Sequence, residues 1–278
     1  MSGPTTGHLR VVRPDGPGAV TPPVPRGPLS GPVGVVGEHT AARSVVRELE
    51  DLTSRLELRG PAATLRAELS ALLEAWAAAL LRVHRSRVAP GAPEAPAPWV
   101  LVAGLPSWIP ELSPRTGPAW AVLAHPGTRA ALTDVRHAWT ADHLVHGEPA
   151  GDDLVVHRER GVVSASFLTS PGGLGDPRWD VATALDWLAV ALGPVLDPQW
   201  QLDPVAELLT HYRRLGGQAE PDRSWAVVRT VTTAVEWTAQ LGLGQEPPDD
   251  ETLAWLAGLW TRPLELLDGR LATRRRRR

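Results

Sequence analysis

The sequence predicts an α+β chain: a meagre β beginning, two long helices, a few strands in hairpins, then an all-helical end. Three observations carry this. Leu65, Leu69, Leu72, Leu73, Trp76, Leu80 and Val83 recur at helical spacing and make one apolar stripe. Leu154-Val155-Val156 and Val162-Val163 flank Gly161, as the arms of a hairpin flank its turn. After residue 180, amphipathic segments follow one another to the end of the chain, broken only by Gly, Pro and Asp.

Taken in order, residues 1–32 are rich in Pro and Gly and are expected to form an extended arm, with 8–12 as one short strand. Gly31, Gly34 and Gly37 are spaced like a phosphate-binding glycine loop, but the prolines upstream argue against the strand such a loop needs. A strand is expected at 33–36. Val45, Val46, Leu49, Leu52 and Leu56 predict a helix over 41–58, broken by Gly60-Pro61. The second helix runs over 62–87. His84 closes its stripe as a packing or capping residue, beside Arg82, Arg85 and Arg87, where cations suit a helix C-terminus.

Residues 88–98 read as a linker, 99–102 as a buried strand and 104–119 as a proline-punctuated loop carrying Trp108. Further helices are expected at 120–124, 127–139, 180–192, 203–215, 224–241 and 250–267, with Gly216-Gly217 ending the one at 203–215. The closing run Arg274–Arg278 is a solvated tail or a grip for phosphate or an acidic partner.

Bulk properties narrow the function. The chain has 278 residues, 43% of them apolar, and no apolar run long enough to span a bilayer. Its N-terminus lacks the apolar core of a secretory signal, so a cytoplasmic protein is expected. Cysteine is absent, which excludes disulfides and thiolate metal sites. Lysine is absent as well: every one of the 28 basic residues is Arg, so no lysine can pair a phosphate or form a Schiff base. A net charge of −3 gives no overall attraction to nucleic acid. Trp, at 12 residues, far outnumbers the single Tyr and single Phe, and large indoles must fill core or interface.

The stretch 143–182 carries the chemistry. Val145-His146-Gly147-Glu148 leads into a turn with Asp152-Asp153, a hairpin follows, and Gly175-Asp176-Pro177 precedes Trp179-Asp180-Val181-Ala182 at a helix start. A loop with His and acidic groups, a hairpin and a second acidic loop make a plausible metal–phosphate site.

These blocks resemble the aminoglycoside phosphotransferase and choline kinase-like family, which reads approximately LVHGDxxxxN(V/I)LV, then (I/V)D(F/W), then GDPxxDLA. Leu144–Glu148, Leu154–Val156, Gly175–Pro177 and Trp179–Ala182 match, as do Leu80–His84 to a helix ending LxxLH and His211–Gly217 to a helix end aYxxxGG. The resemblance covers residues 33–267. It implies a protein-kinase-like fold with a truncated N-lobe (33–98), a mostly helical C-lobe (99–271) and an Arg-rich tail (272–278). Trp139 and the GDPxWDV form look most like members from actinobacterial ribosomal-peptide pathways, thioamitide and class V lanthipeptide among them.

The resemblance also implies roles. Glu148, with His146 before it, takes the catalytic-base position. Glutamate places its carboxylate roughly an ångström beyond an aspartate's, a displacement that costs about 10²-fold. Asp153 takes the position of the metal-binding Asn, with Asp152 beside it as a second hard-oxygen ligand. The other metal ligand falls on Leu168, and there is no acid between Gly161 and Gly175 to replace it. Asp176 and Asp180 are structural in the family. The retained residues thus hold the fold and the missing ones handle nucleotide. The expectation is a catalytically inactive pseudokinase without cofactor, acting as scaffold or regulatory subunit on a pathway partner protein or precursor peptide, in a hetero-complex or homodimer. Trp99, Trp108, Trp120 and Trp200 are its candidate anchors, and apolar surface is expected near 100–105 and 165–168. The alternative is a divergent active phosphotransferase using ATP and Mg²⁺ on a Ser/Thr peptide or a small hydroxyl compound.

Overall fold

Among the described residues the first element is Arg43–Ser44 (β1), which pairs antiparallel with a later hairpin and turns at once into the helix Val45–Arg59 (α1). Ser44 caps that helix by accepting from the Val46 N–H, so it starts later than the apolar spacing from 41 predicts. In this computed structural model the described residues are 43–105, 117–193, 196–197, 200–242 and 248–269. All lie within one compact unit, His39–Arg278. The expected arm and strands at 1–36, the glycines at 31–37, Trp108 and the Arg-rich tail lie outside the described residues.

Helix Ala63–His84 (α2) follows with the predicted stripe inward; Leu69, Leu72, Leu73, Trp76 and Leu80 are buried. Residues 99–102 form a short helix, Trp99–Val102 (α3), and not the expected strand. A four-residue apolar run suits either state. Among the described residues no strand pairs with it, and Arg136 donates to the carbonyls of Leu101 and Val100. Only Val100 of the four is buried.

Gly117–Ala124 (α4) and Pro126–Ala138 (α5) lead to His143–Val145 (β2), a 3₁₀ turn Gly151–Asp153, Leu154–Glu159 (β3), Val162–Phe167 (β4) and Gly173–Gly175 (β5). There are two small sheets among the described residues: β1-β3-β4 and β2-β5, both antiparallel. The linker is more than a spacer. Glu94 bridges Leu174 of β5, with Ala95 N–H donating to Leu174 O at 2.7 Å. Gly173, at φ +134°, is required there, because a Cβ would sit 2.5 Å from Pro93 O.

Four helices complete the unit: Pro177–Leu192 (α6), Pro204–Arg214 (α7), Arg223–Gly242 (α8) and Asp250–Leu267 (α9). Asp176, Asp203 and Asp249 cap α6, α7 and α9 by accepting backbone N–H groups. The helix predicted to open at Asp180 therefore opens at Pro177, and Asp180 sits in its first turn. No helix among the described residues is long and apolar enough to cross a membrane.

Two apolar cores share α6. Val181, Ala184, Leu188 and Leu192 pack with α1, α2, α7 and the hairpin. Trp179 and Ala182 pack with α4, α5, α8 and α9. A buried ion pair ties the second core: Asp186 of α6 accepts from Arg262 of α9 at 2.6 Å and from Thr233 of α8 at 2.6 Å. Of the buried indoles, Trp260 donates to Thr238, while Trp76 Nε1 has no partner among the described residues. Asp186→Ala is expected to lower stability by about 3 kcal/mol, because it leaves the part-buried Arg262 guanidinium and the buried Thr233 hydroxyl without their shared acceptor. Urea unfolding at neutral pH measures this.

Candidate functional site

The site is built where β2 hands over to the loop 146–150. β2 and β5 pair in register, His143 with Gly175 and Val145 with Gly173, so the loop after β2 lies beside the start of α6. Gly147 turns the chain at φ +91°. The 3₁₀ turn then passes over Trp187 of α6. A Cβ on Gly151 would lie 2.5 Å from the indole ring, so only glycine fits.

Asp180 holds this loop from beneath. It is wholly buried. Its Oδ2 accepts from the His146 N–H at 2.7 Å and its Oδ1 from the Gly147 N–H at 2.8 Å. His84 Nε2 lies 3.1 Å from Oδ2, and His84 Nδ1 lies 2.9 Å from the Tyr212 hydroxyl. A carboxylate only accepts, so Nε2 carries a proton; in the neutral ring Nδ1 then accepts from Tyr212 O–H. Burial pushes the Tyr212 phenol up to about 12, so it stays a donor. His84, expected only to pack or cap, thus joins α2, α6, α7 and the 146–147 backbone in one chain of hydrogen bonds. The sequence signal for this was three polar residues on different apolar stripes, a signal without a partner until the chain folds.

The neighbouring carboxylate has a separate task. Asp176 caps α6, binds Arg178 and accepts from the Thr140 N–H at 3.0 Å. Arg178 also lies 4.5 Å over the Trp225 ring, and Trp139 stacks on Trp225 at 5.8 Å. Asp176 and Asp180 therefore both hold structure, one at the helix start and one under the loop.

The candidate reactive groups are arranged differently. The His146 ring packs 4.4 Å from Phe167, its Nε2 is 2.7 Å from Thr169 Oγ1, and its Nδ1 has no partner among the described residues. Glu148 is exposed at the end of the loop. Its charge reaches Glu236 of α8, a group the sequence reading did not single out. Burial, foremost, raises the Glu236 carboxyl above the usual carboxylate range, and Glu148 adds to this; Arg229 and the Trp99 N–H, 3.0 Å away, oppose it.

Asp152 and Asp153 are half-buried on the 3₁₀ turn. The structure brings Leu168 directly beside Asp153: the Leu168 N–H donates to the Asp153 carbonyl at 2.8 Å. Leu168 projects 66% exposed, so the side chain next to Asp153 across this pairing is apolar and offers no oxygen. Among the described residues no group of three or more His, Asp or Glu could hold a metal ion.

The expected apolar surface is present in part. Val102 and Leu168 are exposed, but Val100 and Ala165 are buried, because α3 packs on α5 and β4 packs on α2. Of the expected Trp anchors, Trp99 and Trp200 pack partly against the cores, and Trp120 is half exposed. Comparison of the chain with protein-family models, curated proteins and solved structures finds no match.

Two outcomes are expected. Asp180→Asn places an amide N–H against a backbone N–H, so the His146 and Gly147 amides should lose hydrogen-exchange protection, with a stability loss of about 3 kcal/mol. Glu236 binds its proton more readily folded than unfolded, so it destabilises as pH rises above the ordinary carboxylate range. Glu236→Gln should flatten that fall in a stability–pH profile taken by chemical denaturation.

Proposed function

We propose that this chain is a degenerate phosphotransferase of the aminoglycoside phosphotransferase and choline kinase-like type, with a protein-kinase-like fold, that works in the cytoplasm as a scaffold or regulatory subunit. The observation that carries this reading is the contrast within one loop. Its backbone at His146 and Gly147 is held by a buried carboxylate, yet the side chain beside Asp153 is Leu168. A metal-dependent phosphoryl transfer needs oxygen ligands and cations around the transferring group. Leu168 offers no oxygen, and the chain has no lysine. The donor set does not fit a magnesium–nucleotide complex held in the manner of that family, and no step is routed through one. The partner would be another protein or a precursor peptide of a ribosomal-peptide pathway, bound as a hetero-complex or through a homodimer.

One observation favours the second reading, a divergent active enzyme: Asp152 and Asp153 stand together on the 3₁₀ turn, with Glu148 exposed nearby in sequence. Thermal unfolding with ATP and Mg²⁺ separates the two. The scaffold reading expects no saturable rise in Tm at millimolar nucleotide. A saturable rise abolished by Asp153→Ala would overturn it in favour of the enzyme. Light scattering at micromolar concentration is expected to show a dimer or a complex with a co-purified partner.

A further inference from the structure

The segments 75–93 and 160–175 contain no Asp or Glu, in a chain that has 31 of them and a net charge of −3. Their arginines are Arg82, Arg85, Arg87 and Arg160. The fold brings the two segments together, because α2 packs on β4. Between them lies a cavity of about 200 Å³, bounded by Arg82, Val83 and Ser86 of α2 and by Ser166, Phe167 and Thr169 at the end of β4. Its lining holds one cation and no carboxylate.

The donors of this cavity are fixed in place and only partly used. Arg82 donates through Nη2 to the Ala165 carbonyl, which holds the guanidinium against the buried middle of β4. A guanidinium has further N–H groups to give. Arg82 is exposed and makes no ion pair among the described residues, whereas Arg55, Arg158, Arg178, Arg213 and Arg262 all do. The last carbonyls of α2, which would repel an anion, are occupied: Leu81 O and Val83 O accept from the Arg85 and Ser86 N–H groups, and Arg82 O from the Ser86 hydroxyl.

Thr169 is set by the buried His146, whose Nε2 lies 2.7 Å from Thr169 Oγ1 and whose Nδ1 has no partner among the described residues. Orphaned buried N–H groups are rarer than orphaned acceptors. In the neutral ring, Nδ1 is therefore the bare nitrogen, and Nε2–H donates to Thr169 Oγ1. The Thr169 hydroxyl proton is left to donate elsewhere, and Thr169 lines the cavity. Ser166 stands on the same wall, its Oγ 3.0 Å from His157 Nε2.

We propose that this cavity binds a small phosphate monoester, with the phosphoryl group on Arg82, Ser166 and Thr169 and the carbon body on Val83 and Phe167. A phosphoryl group presents three acceptor oxygens, one for each of those donors, and a guanidinium fork matches two of them at once. A carboxylate has only two oxygens and leaves a donor unused. At about 200 Å³ the cavity is smaller than the roughly 300 Å³ at which drug-sized pockets begin, so the body is limited to a few carbons. Thr169 and Phe167 both touch His146, so occupancy reaches the loop after β2. No bond is made or broken in this step. The inference needs only the cavity and stands apart from the phosphotransferase reading.

The test titrates the full chain with glycerol 3-phosphate, inorganic phosphate and acetate by isothermal calorimetry. Saturable binding of glycerol 3-phosphate is expected with a Kd at or below about 1 mM, a range open to a ligand of about ten non-hydrogen atoms. Inorganic phosphate should compete and bind more weakly, and acetate should bind at least about tenfold more weakly than the monoester, the scale of one charge-assisted hydrogen bond. Arg82→Gln should weaken the monoester by a similar factor. Arg87→Gln, at an exposed arginine off the cavity lining, should leave it unchanged. Thr169→Val should weaken binding severalfold and Thr169→Ser should restore it. If Arg82→Gln fails to fold, NMR of the unaltered protein decides: the Arg82 Nε and His146 ring resonances should shift saturably with the monoester. The proposal is overturned by absence of saturable binding, by acetate binding as well as the monoester, by inorganic phosphate binding more tightly than the monoester, by equal weakening from Arg82→Gln and Arg87→Gln, or by saturation that leaves the Arg82 and His146 resonances in place.

Discussion

A buried carboxylate is costly unless every lone pair that faces protein finds a donor. Asp180 meets that condition with two backbone N–H groups and one imidazole N–H, all within 3.1 Å. Those donors come from separate places: the loop after β2, and the C-terminal turn of α2. Satisfying the charge therefore fixes the loop, α2 and α6 together, and His84 passes the constraint on to Tyr212 of α7. The same low dielectric that would penalise a lone carboxylate strengthens each of these bonds.

The two cores follow from that arrangement. Because α6 is anchored at its first turn, one of its faces meets α2, α7 and the hairpin, and the other meets α8 and α9. Asp186, two turns further along, repeats the device on the second face with Arg262 and Thr233. Buried polar pairs of this kind add little net stability but strongly disfavour misplacement of the elements that carry them. The loop 146–153 is thus held rigidly from below, while its outer side presents Glu148, Asp152, Asp153 and the exposed Leu168.

This division gives the functional reading its content. A frame that positions a loop so firmly is suited to chemistry, but chemistry also needs the right atoms on the outer side. The exposed carboxylate of Glu148 and the alkyl group of Leu168 set what the outer side offers and take no part in how the loop is held.

The apolar periodicities of α1, α2 and α6 to α9 and the hairpin turn at Gly161 were legible in the sequence because each is set by local geometry: side-chain spacing and turn preference. The acidic loops were legible for the same reason, as was the absence of any acid near Leu168. The strand expected at 99–102 failed because a short apolar run has no state of its own, and α5 supplied Arg136 rather than a strand. The linker's bridge to β5, the His84–Asp180–Tyr212 chain, the Glu236 cluster and the Arg82 contact on β4 join residues far apart along the chain. For these, sequence determined only that the groups exist. Which donor met which acceptor was decided by tertiary packing, since burial makes an unpaired polar group costly and so selects the one arrangement that pairs them.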